Sequence, residues 1–96
     1  LKAFRRPDGQ IALFRPMDNF RRFNHSARRM CMPEVDEAFM LHSLKELIRL
    51  DADWVPRNEG TSLYIRPTMI ASEPMLGVRP AEEYLCYIIV CPVGAY

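Results

Sequence analysis

A segment with alternating polar side chains carries the groups best suited to binding a small charged molecule. It reads Ser62-Leu63-Tyr64-Ile65-Arg66-Pro67, and on a β-strand every second side chain points to the same face. The side chains that would share the polar face are Ser62, Tyr64, Arg66 and Thr68. A phenol, a guanidinium and two hydroxyls suit a ligand with a carboxylate beside an apolar part. An ordinary solvated strand face has the same pattern, so spacing alone leaves both interpretations open.

Arginines near the start of the chain form a second candidate site. Residues 1–30 contain eight Lys or Arg and two Asp, a net charge of +6, whereas the remainder has a net charge of −5. Arg22, Arg28 and Arg29 could bind phosphate through charge-assisted hydrogen bonds. Most such segments are solvated basic faces, so we expect at most one of these arginines to contact a ligand. Phe20 and Phe23, which stand beside these arginines, fall on the apolar side of the predicted helix and not on its exposed side, which argues against a nucleic-acid binder.

The other reactive side chains are too scattered to form a site. His25 and His42 have no ligand-like spacing to cysteines or carboxylates, so we expect no metal site. Three cysteines cannot pair completely, and this fits a reducing compartment better than a disulfide scaffold. Neither Lys2 nor Lys45 stands in a segment that would bury it enough for covalent carbonyl chemistry. The sequence therefore predicts no covalent catalysis by this chain alone.

Turn and capping signals predict the elements that precede the polar strand. We expect a β-hairpin of Leu1–Arg5 and Gln10–Phe14, joined by a Pro-Asp-Gly turn. Asp18 or Asn19 is expected to cap a first helix that runs to about Met32. Its predicted apolar stripe is Phe20, Phe23, Ala27 and Met30.

The second half of the chain predicts a helix and two longer strands. Asp36 is expected to cap a helix that ends near Asp53. Its predicted buried face is Met40, Leu44, Leu47 and Ile48. A strand is expected at Thr61–Ala71, with Leu63, Ile65 and Met69 towards the core. A second strand is expected at Tyr84–Val90, and because this segment is apolar on both faces, it is predicted to be central and covered on both sides. The order ββααββ predicts an α+β domain with its helices on one sheet.

Length and composition limit the class of protein. Ninety-six residues suffice for one modest domain, and 49% hydrophobic with 26% charged residues is typical of a globular chain. This balance excludes intrinsic disorder and a coiled coil. The longest apolar run, Tyr84–Val93, is too short to cross a bilayer, so we expect no membrane span. Both ends fall inside expected structure, which suggests a piece of a longer chain.

Six short segments, in order along the chain, resemble the branched-chain amino acid aminotransferases, most closely the animal-type enzymes. They are Leu1-Lys2-Ala3-Phe4-Arg5 through Leu13-Phe14-Arg15-Pro16; Arg22 with Ser26-Ala27; Leu50-Asp51 with Trp54-Val55-Pro56; Ser62-Leu63-Tyr64-Ile65-Arg66-Pro67; Glu73-Pro74-Met75-Leu76-Gly77-Val78; and Cys91-Pro92-Val93-Gly94-Ala95-Tyr96. Each segment alone would be weak, but six in the same order are specific. The resemblance extends over essentially the whole chain.

The resemblance implies a fold-type IV enzyme that uses pyridoxal 5′-phosphate and acts as a homodimer. Residues 1–96 would form most of its small N-terminal domain and end at the interdomain linker. The Schiff-base lysine would lie in the absent larger domain, so this piece alone is expected to be inactive. The whole enzyme would transfer the amino group of leucine, isoleucine or valine to 2-oxoglutarate, forming glutamate and a branched 2-oxo acid. Its expected location is the cytoplasm or the mitochondrial matrix.

The resemblance also implies roles for individual residues. Arg22 would bind the cofactor phosphate. Arg66 would receive the side-chain carboxylate of glutamate, and Tyr64 would contact the branched aliphatic side chain of the other substrates. An apolar pocket wall with one guanidinium at its rim meets both demands.

Three further residues would complete the substrate pocket. Leu76 and Val78 would form apolar walls of the partner subunit's pocket, which would explain two apolar side chains in a loop bounded by Pro and Gly. Tyr96 would close the pocket from the linker. The alternatives are a D-amino acid aminotransferase, an aminodeoxychorismate lyase, or a non-catalytic binding module derived from this family.

Overall fold

A tight β-hairpin opens the fold. In the structure, a computed structural model that describes residues 1–95, β1 (Lys2–Arg5) pairs antiparallel with β2 (Ile11–Leu13). The turn has Gly9 at φ 86°, a conformation that side-chain-bearing residues adopt at a cost. The Asp8 carboxylate accepts a hydrogen bond from the Gln10 backbone N–H at 3.0 Å. The predicted hairpin is therefore confirmed.

The first helix begins earlier than its capping signals indicate. Helix α1 spans Pro16–Arg29, and it is preceded by Arg15 in the left-handed conformation with φ 49°. Proline suits the first helical position because its φ is already helical and its missing N–H is not needed there. The prediction that Asp18 or Asn19 caps this helix is wrong, since both lie inside it.

Helix α1 also ends three residues before the predicted Met32. Cys31 adopts a positive φ of 56°, and the Met32 N–H donates to the Ala27 carbonyl at 2.8 Å, which closes the last turn. Met30 therefore lies past the helix and is 71% exposed, contrary to the predicted stripe. Asn24, which the apolar pattern did not include, is buried on α1.

The second helix has the predicted cap and a shorter body. Helix α2 spans Glu37–Leu50, and the Asp36 side chain accepts a hydrogen bond from the Phe39 N–H at 3.0 Å. A short 3₁₀ turn, Ala52–Trp54, follows the helix, so the predicted end near Asp53 is too late. The buried residues of α2 are Met40, Leu44 and Ile48, with Leu47 half-buried.

Two ten-residue strands complete a four-stranded antiparallel sheet. Strands β3 (Ser62–Ala71) and β4 (Tyr84–Val93) pair along their full length, and the strand order is β2-β1-β3-β4. The core between the helices and one face of this sheet contains Ala3, Phe20, Met40, Leu44, Ile48, Val55, Leu63 and Ile65. The structure confirms the α+β class, with two strands, two helices and two strands in sequence order.

Strand β4 differs from the prediction of a central, doubly covered strand. It lies at an edge of the sheet, and its burial alternates from residue to residue. Ile88 and Val90 pack against the core, whereas Leu85 and Ile89 are 51% and 50% exposed on the other face. The reason is that, within residues 1–95, helices cover only one face of the sheet.

Candidate functional site

A small cavity lies between α1 and β3. Its volume is about 190 Å³, and its lining residues are Leu1, Asn19, Arg22, Phe23, Tyr64, Ile65, Arg66 and Pro67. Sites that enclose a whole drug-sized ligand have volumes of roughly 300–1,000 Å³. This cavity is therefore sized for one charged end of a ligand. Three residues singled out in the sequence, Arg22, Tyr64 and Arg66, meet here.

Arg22 reaches the cavity from the second turn of α1. Its Nη2 donates a hydrogen bond to Asn19 Oδ1 at 2.8 Å. Residues three apart on a helix are neighbours on its surface, which explains this contact. The Asn19 Nδ2 donates in turn to the Arg15 carbonyl at 3.0 Å. The orientation of the Arg22 guanidinium is thus tied to the start of the helix.

Tyr64 and Arg66 reach the cavity from β3. Both alternate with the buried Leu63 and Ile65, so their side chains share one face of the strand, as the sequence predicts. The Arg66 guanidinium carbon lies 5.2 Å from the centre of the Tyr64 ring, within the range of a cation–π contact. Hydrogen bonding of Arg66 Nη2 to the Tyr64 hydroxyl, at 3.5 Å, raises the pKa of the guanidinium, so Arg66 keeps its charge.

The charges around the cavity favour an anion. Two guanidinium groups line it, and no carboxylate does so within the part of the chain that the structure describes. Arginine binds phosphate and carboxylate oxygens through paired N–H donors. On the outer surface of α1, by contrast, Arg21 and Arg28 form ion pairs with neighbouring acidic side chains. The cavity can therefore bind a phosphate or carboxylate group through its guanidinium groups.

A wider groove of about 580 Å³ beside the first hairpin is also lined by basic residues, but two of them are engaged. Arg5 donates to the carbonyls of Ala52 and Val55 at 2.7 and 3.1 Å, which ties β1 to the turn after α2. Arg6 pairs with Asp8 at 3.5 Å. These contacts stabilise the fold, and Glu59 adds a carboxylate to the groove, so the smaller cavity is the better anion site.

Leu76 and Val78 lie apart from this cavity. Both are fully exposed in the connection between β3 and β4, residues 72–83, and neither lines the cavity. Glu73 fixes the shape of this connection, because its carboxylate pairs with Arg79 at 2.5 Å and accepts from the Glu82 N–H at 2.9 Å. Tyr96 lies outside the described residues.

Asn19 is a cavity residue that sequence reasoning considered only as a helix cap. The signal that could have identified it is its position three residues before Arg22 on the same helix face. In residues 1–95, no group of three or more His, Cys, Asp or Glu side chains could hold a metal ion. No helix among these residues has the length and apolar character needed to cross a membrane.

The chain is similar over all 96 residues to curated aminotransferases. It is 51% identical to branched-chain-amino-acid transaminase 1 of Bacillus subtilis and 52% identical to a probable branched-chain-amino-acid aminotransferase of Staphylococcus aureus. It is 49% identical to the mitochondrial branched-chain-amino-acid aminotransferase of Mus musculus. No protein-family model matches the chain. The homologues of this chain are thus branched-chain aminotransferases of bacteria and mammals, of whose length it spans about a quarter.

Proposed function

We propose that the protein to which this chain belongs is a branched-chain amino acid aminotransferase. It would use pyridoxal 5′-phosphate to transfer the amino group of leucine, isoleucine or valine to 2-oxoglutarate. The observation that carries the proposal is the small cavity in which Arg22, Tyr64 and Arg66 meet without a lining carboxylate. Identity of about 50% to named aminotransferases along the whole chain supports it. The proposal covers bacterial and animal-type enzymes alike, because both kinds of relative are nearly equally similar.

The chemistry of the cavity fits the phosphate group of this cofactor. Arg22 presents a guanidinium that already donates to a neutral oxygen and keeps its net charge, and the cavity is large enough for one phosphate group. When bound, pyridoxal phosphate supplies the electron sink through which an amino group can leave one substrate and join another. Arg22 would hold the phosphate near the N-terminal end of α1, which starts at Pro16.

Tyr64 and Arg66 would set the specificity for two unlike substrates. The Arg66 guanidinium is exposed, so it can pair with the side-chain carboxylate of glutamate and stay solvated when leucine is bound. Its contact with the Tyr64 ring keeps it at the rim. The half-buried ring of Tyr64 offers an apolar surface to a branched side chain.

The remaining residues are proposed to act in the assembled enzyme. We infer a fold-type IV small domain whose larger domain follows residue 96 and a homodimer in which Leu76 and Val78 contact the partner's pocket. Two fully exposed apolar side chains on a connection held by the Glu73–Arg79 ion pair support this role. Tyr96 would close the pocket from the linker. The proposed location is the cytoplasm or the mitochondrial matrix; the mouse relative is named as mitochondrial.

A donor competition on the full-length gene product tests the proposal. The protein is loaded with pyridoxal phosphate and offered L-leucine or D-alanine, each with 2-oxoglutarate, or aminodeoxychorismate alone, and the glutamate or 4-aminobenzoate formed is measured. Preference for L-leucine is the expected result. Preference for D-alanine would assign the protein to the D-amino acid aminotransferases, and turnover of aminodeoxychorismate alone would assign it to the lyases. Bound cofactor without turnover of any of these would identify a non-catalytic module.

A further inference from the structure

The cavity arginine of α1 is held by an amide, unlike its neighbours. Arg22 Nη2 donates to Asn19 Oδ1 at 2.8 Å. Arg21 and Arg28, on the same helix, pair with carboxylates instead. A carboxylate partner would orient a guanidinium but would also offset its charge. An amide oxygen orients one N–H of the guanidinium and leaves the positive charge for another anion.

Asn19 is itself fixed, so its oxygen has a defined direction. The Asn19 Nδ2 donates to the Arg15 carbonyl at 3.0 Å, and the Asn19 backbone N–H approaches the same carbonyl at 3.4 Å. Because the amide nitrogen is engaged at the helix start, the amide oxygen is the atom that faces Arg22. Asn19 is half-buried and lines the cavity together with Arg22. One side chain thus connects the start of α1 to the cavity guanidinium.

We propose that Asn19 is the positioning residue that holds the Arg22 guanidinium ready for the cofactor phosphate while leaving its charge uncompensated. The inference rests on the proposed role of Arg22 in binding that phosphate. A flexible arginine would lose rotamer freedom when the phosphate binds, and an arginine already held by Asn19 loses less. The amide therefore contributes to phosphate affinity without touching the cofactor.

The test compares two ligands that differ only in the phosphate. Full-length apoprotein is titrated with pyridoxal phosphate and with pyridoxal, and the dissociation constants are measured by absorbance. Asn19→Ala is expected to weaken pyridoxal phosphate binding about fivefold and to leave pyridoxal binding unchanged, since one net hydrogen bond is lost. Arg29→Ala, which removes an exposed positive charge at the far end of α1, is the matched control and should change neither constant.

Two further variants distinguish the orientation of Arg22 by Asn19 from an effect on folding and from an effect of charge. Asn19→Asp keeps an oxygen acceptor for Arg22 but adds a negative charge, so phosphate affinity should fall at least as far as in Asn19→Ala. The double variant Asn19→Ala with Arg22→Ala should bind pyridoxal phosphate no more weakly than Arg22→Ala alone, because Asn19 acts through Arg22. If Asn19 had a merely structural role, its substitution would weaken the binding of both ligands, and its effect would add to that of Arg22→Ala.

The outcomes distinguish this inference from the proposed function. Unchanged pyridoxal phosphate binding in Asn19→Ala, with a clear loss in Arg22→Ala, would overturn the role of Asn19 and leave the proposed function intact. Equal losses for both ligands in Asn19→Ala would also overturn it. If Asn19→Asp bound pyridoxal phosphate as tightly as the wild type does, the neutral charge of the residue that holds Arg22 would not matter, and this part of the proposal would be wrong. Unchanged binding in Arg22→Ala would remove the phosphate role of Arg22 and the inference with it.

Discussion

Arg22 on α1 and Arg66 on β3 line the same 190 Å³ cavity, although they belong to different elements of the fold. Each is held by a neutral group, Arg22 by the Asn19 amide and Arg66 by the Tyr64 ring and hydroxyl. Packing of α1 against the sheet creates this pairing. Two guanidinium groups that line one cavity, with no lining carboxylate among residues 1–95, favour an anionic ligand there.

The first prediction concerns the cofactor. Arg22→Ala in the full-length protein should weaken pyridoxal phosphate binding roughly 10- to 100-fold, since a hydrogen bond to a charged group contributes about 1.5–3 kcal/mol. The readout is the amount of cofactor that remains after dialysis. Retention equal to that of the wild type would remove Arg22 as the phosphate ligand.

The second prediction concerns the buried Asn24. Its Oδ1 accepts from the Val35 N–H and its Nδ2 donates to the Val35 carbonyl, both at 2.8 Å, which fixes the connection between α1 and α2. Asn24→Ala should lower the free energy of unfolding by about 2–3 kcal/mol, because it removes two hydrogen bonds and leaves the partly buried backbone N–H and C=O of Val35 without these partners. Urea unfolding of the full-length protein measures the change. Asn58→Ala, at an exposed position, is the control, and an equal effect of both variants would contradict this account.

The third prediction concerns thiol reactivity. Cys86 packs against the core, and burial raises the pKa of its thiol, whereas Cys31 is exposed. The reactive thiolate of Cys86 should therefore form only at higher pH. Alkylation followed by mass spectrometry across a pH series should show Cys86 modified more slowly than the exposed Cys31, and the midpoint for Cys86 should lie above the ordinary pKa of a cysteine thiol. Faster labelling of Cys86 at neutral pH would contradict its placement on the covered face.

The sequence predicts well those features of the fold that depend on residues close together in the chain. The first turn, the Asp36 cap and the alternation of β3 depend on neighbouring residues, so their signals are complete within a few positions. Helix α1 starts at Pro16, two residues before Asp18, because proline is an excellent first helical residue. The capping preference of Asp18 and Asn19 alone predicts a later start.

Features that depend on packing between distant parts of the chain could not be predicted from the sequence alone. The apolar run of β4 predicts burial on both faces, but its edge position and the one-sided placement of the helices decide its exposure. Asn24 gives no apolar signal, and only its contacts with Val35 explain its burial. The meeting of Arg22 with Tyr64 and Arg66 likewise depends on how α1 packs. Resemblance to known enzymes named these three residues, whereas spacing alone left the polar strand face undecided.

Arg66 is proposed to bind the side chain of only one of the two amino-acid substrates, and single-turnover rates measure this selectivity. The full-length enzyme with bound cofactor is mixed with L-glutamate or with L-leucine, and the spectral change of each half-reaction is followed. Arg49→Ala removes an exposed arginine of α2 that pairs with Glu46, and it serves as the control.

In Arg66→Ala, the glutamate half-reaction should slow at least about tenfold more than the leucine half-reaction, because only glutamate brings a second carboxylate to the guanidinium. Arg49→Ala should leave both rates unchanged. Equal losses in the two half-reactions of Arg66→Ala would contradict the assignment.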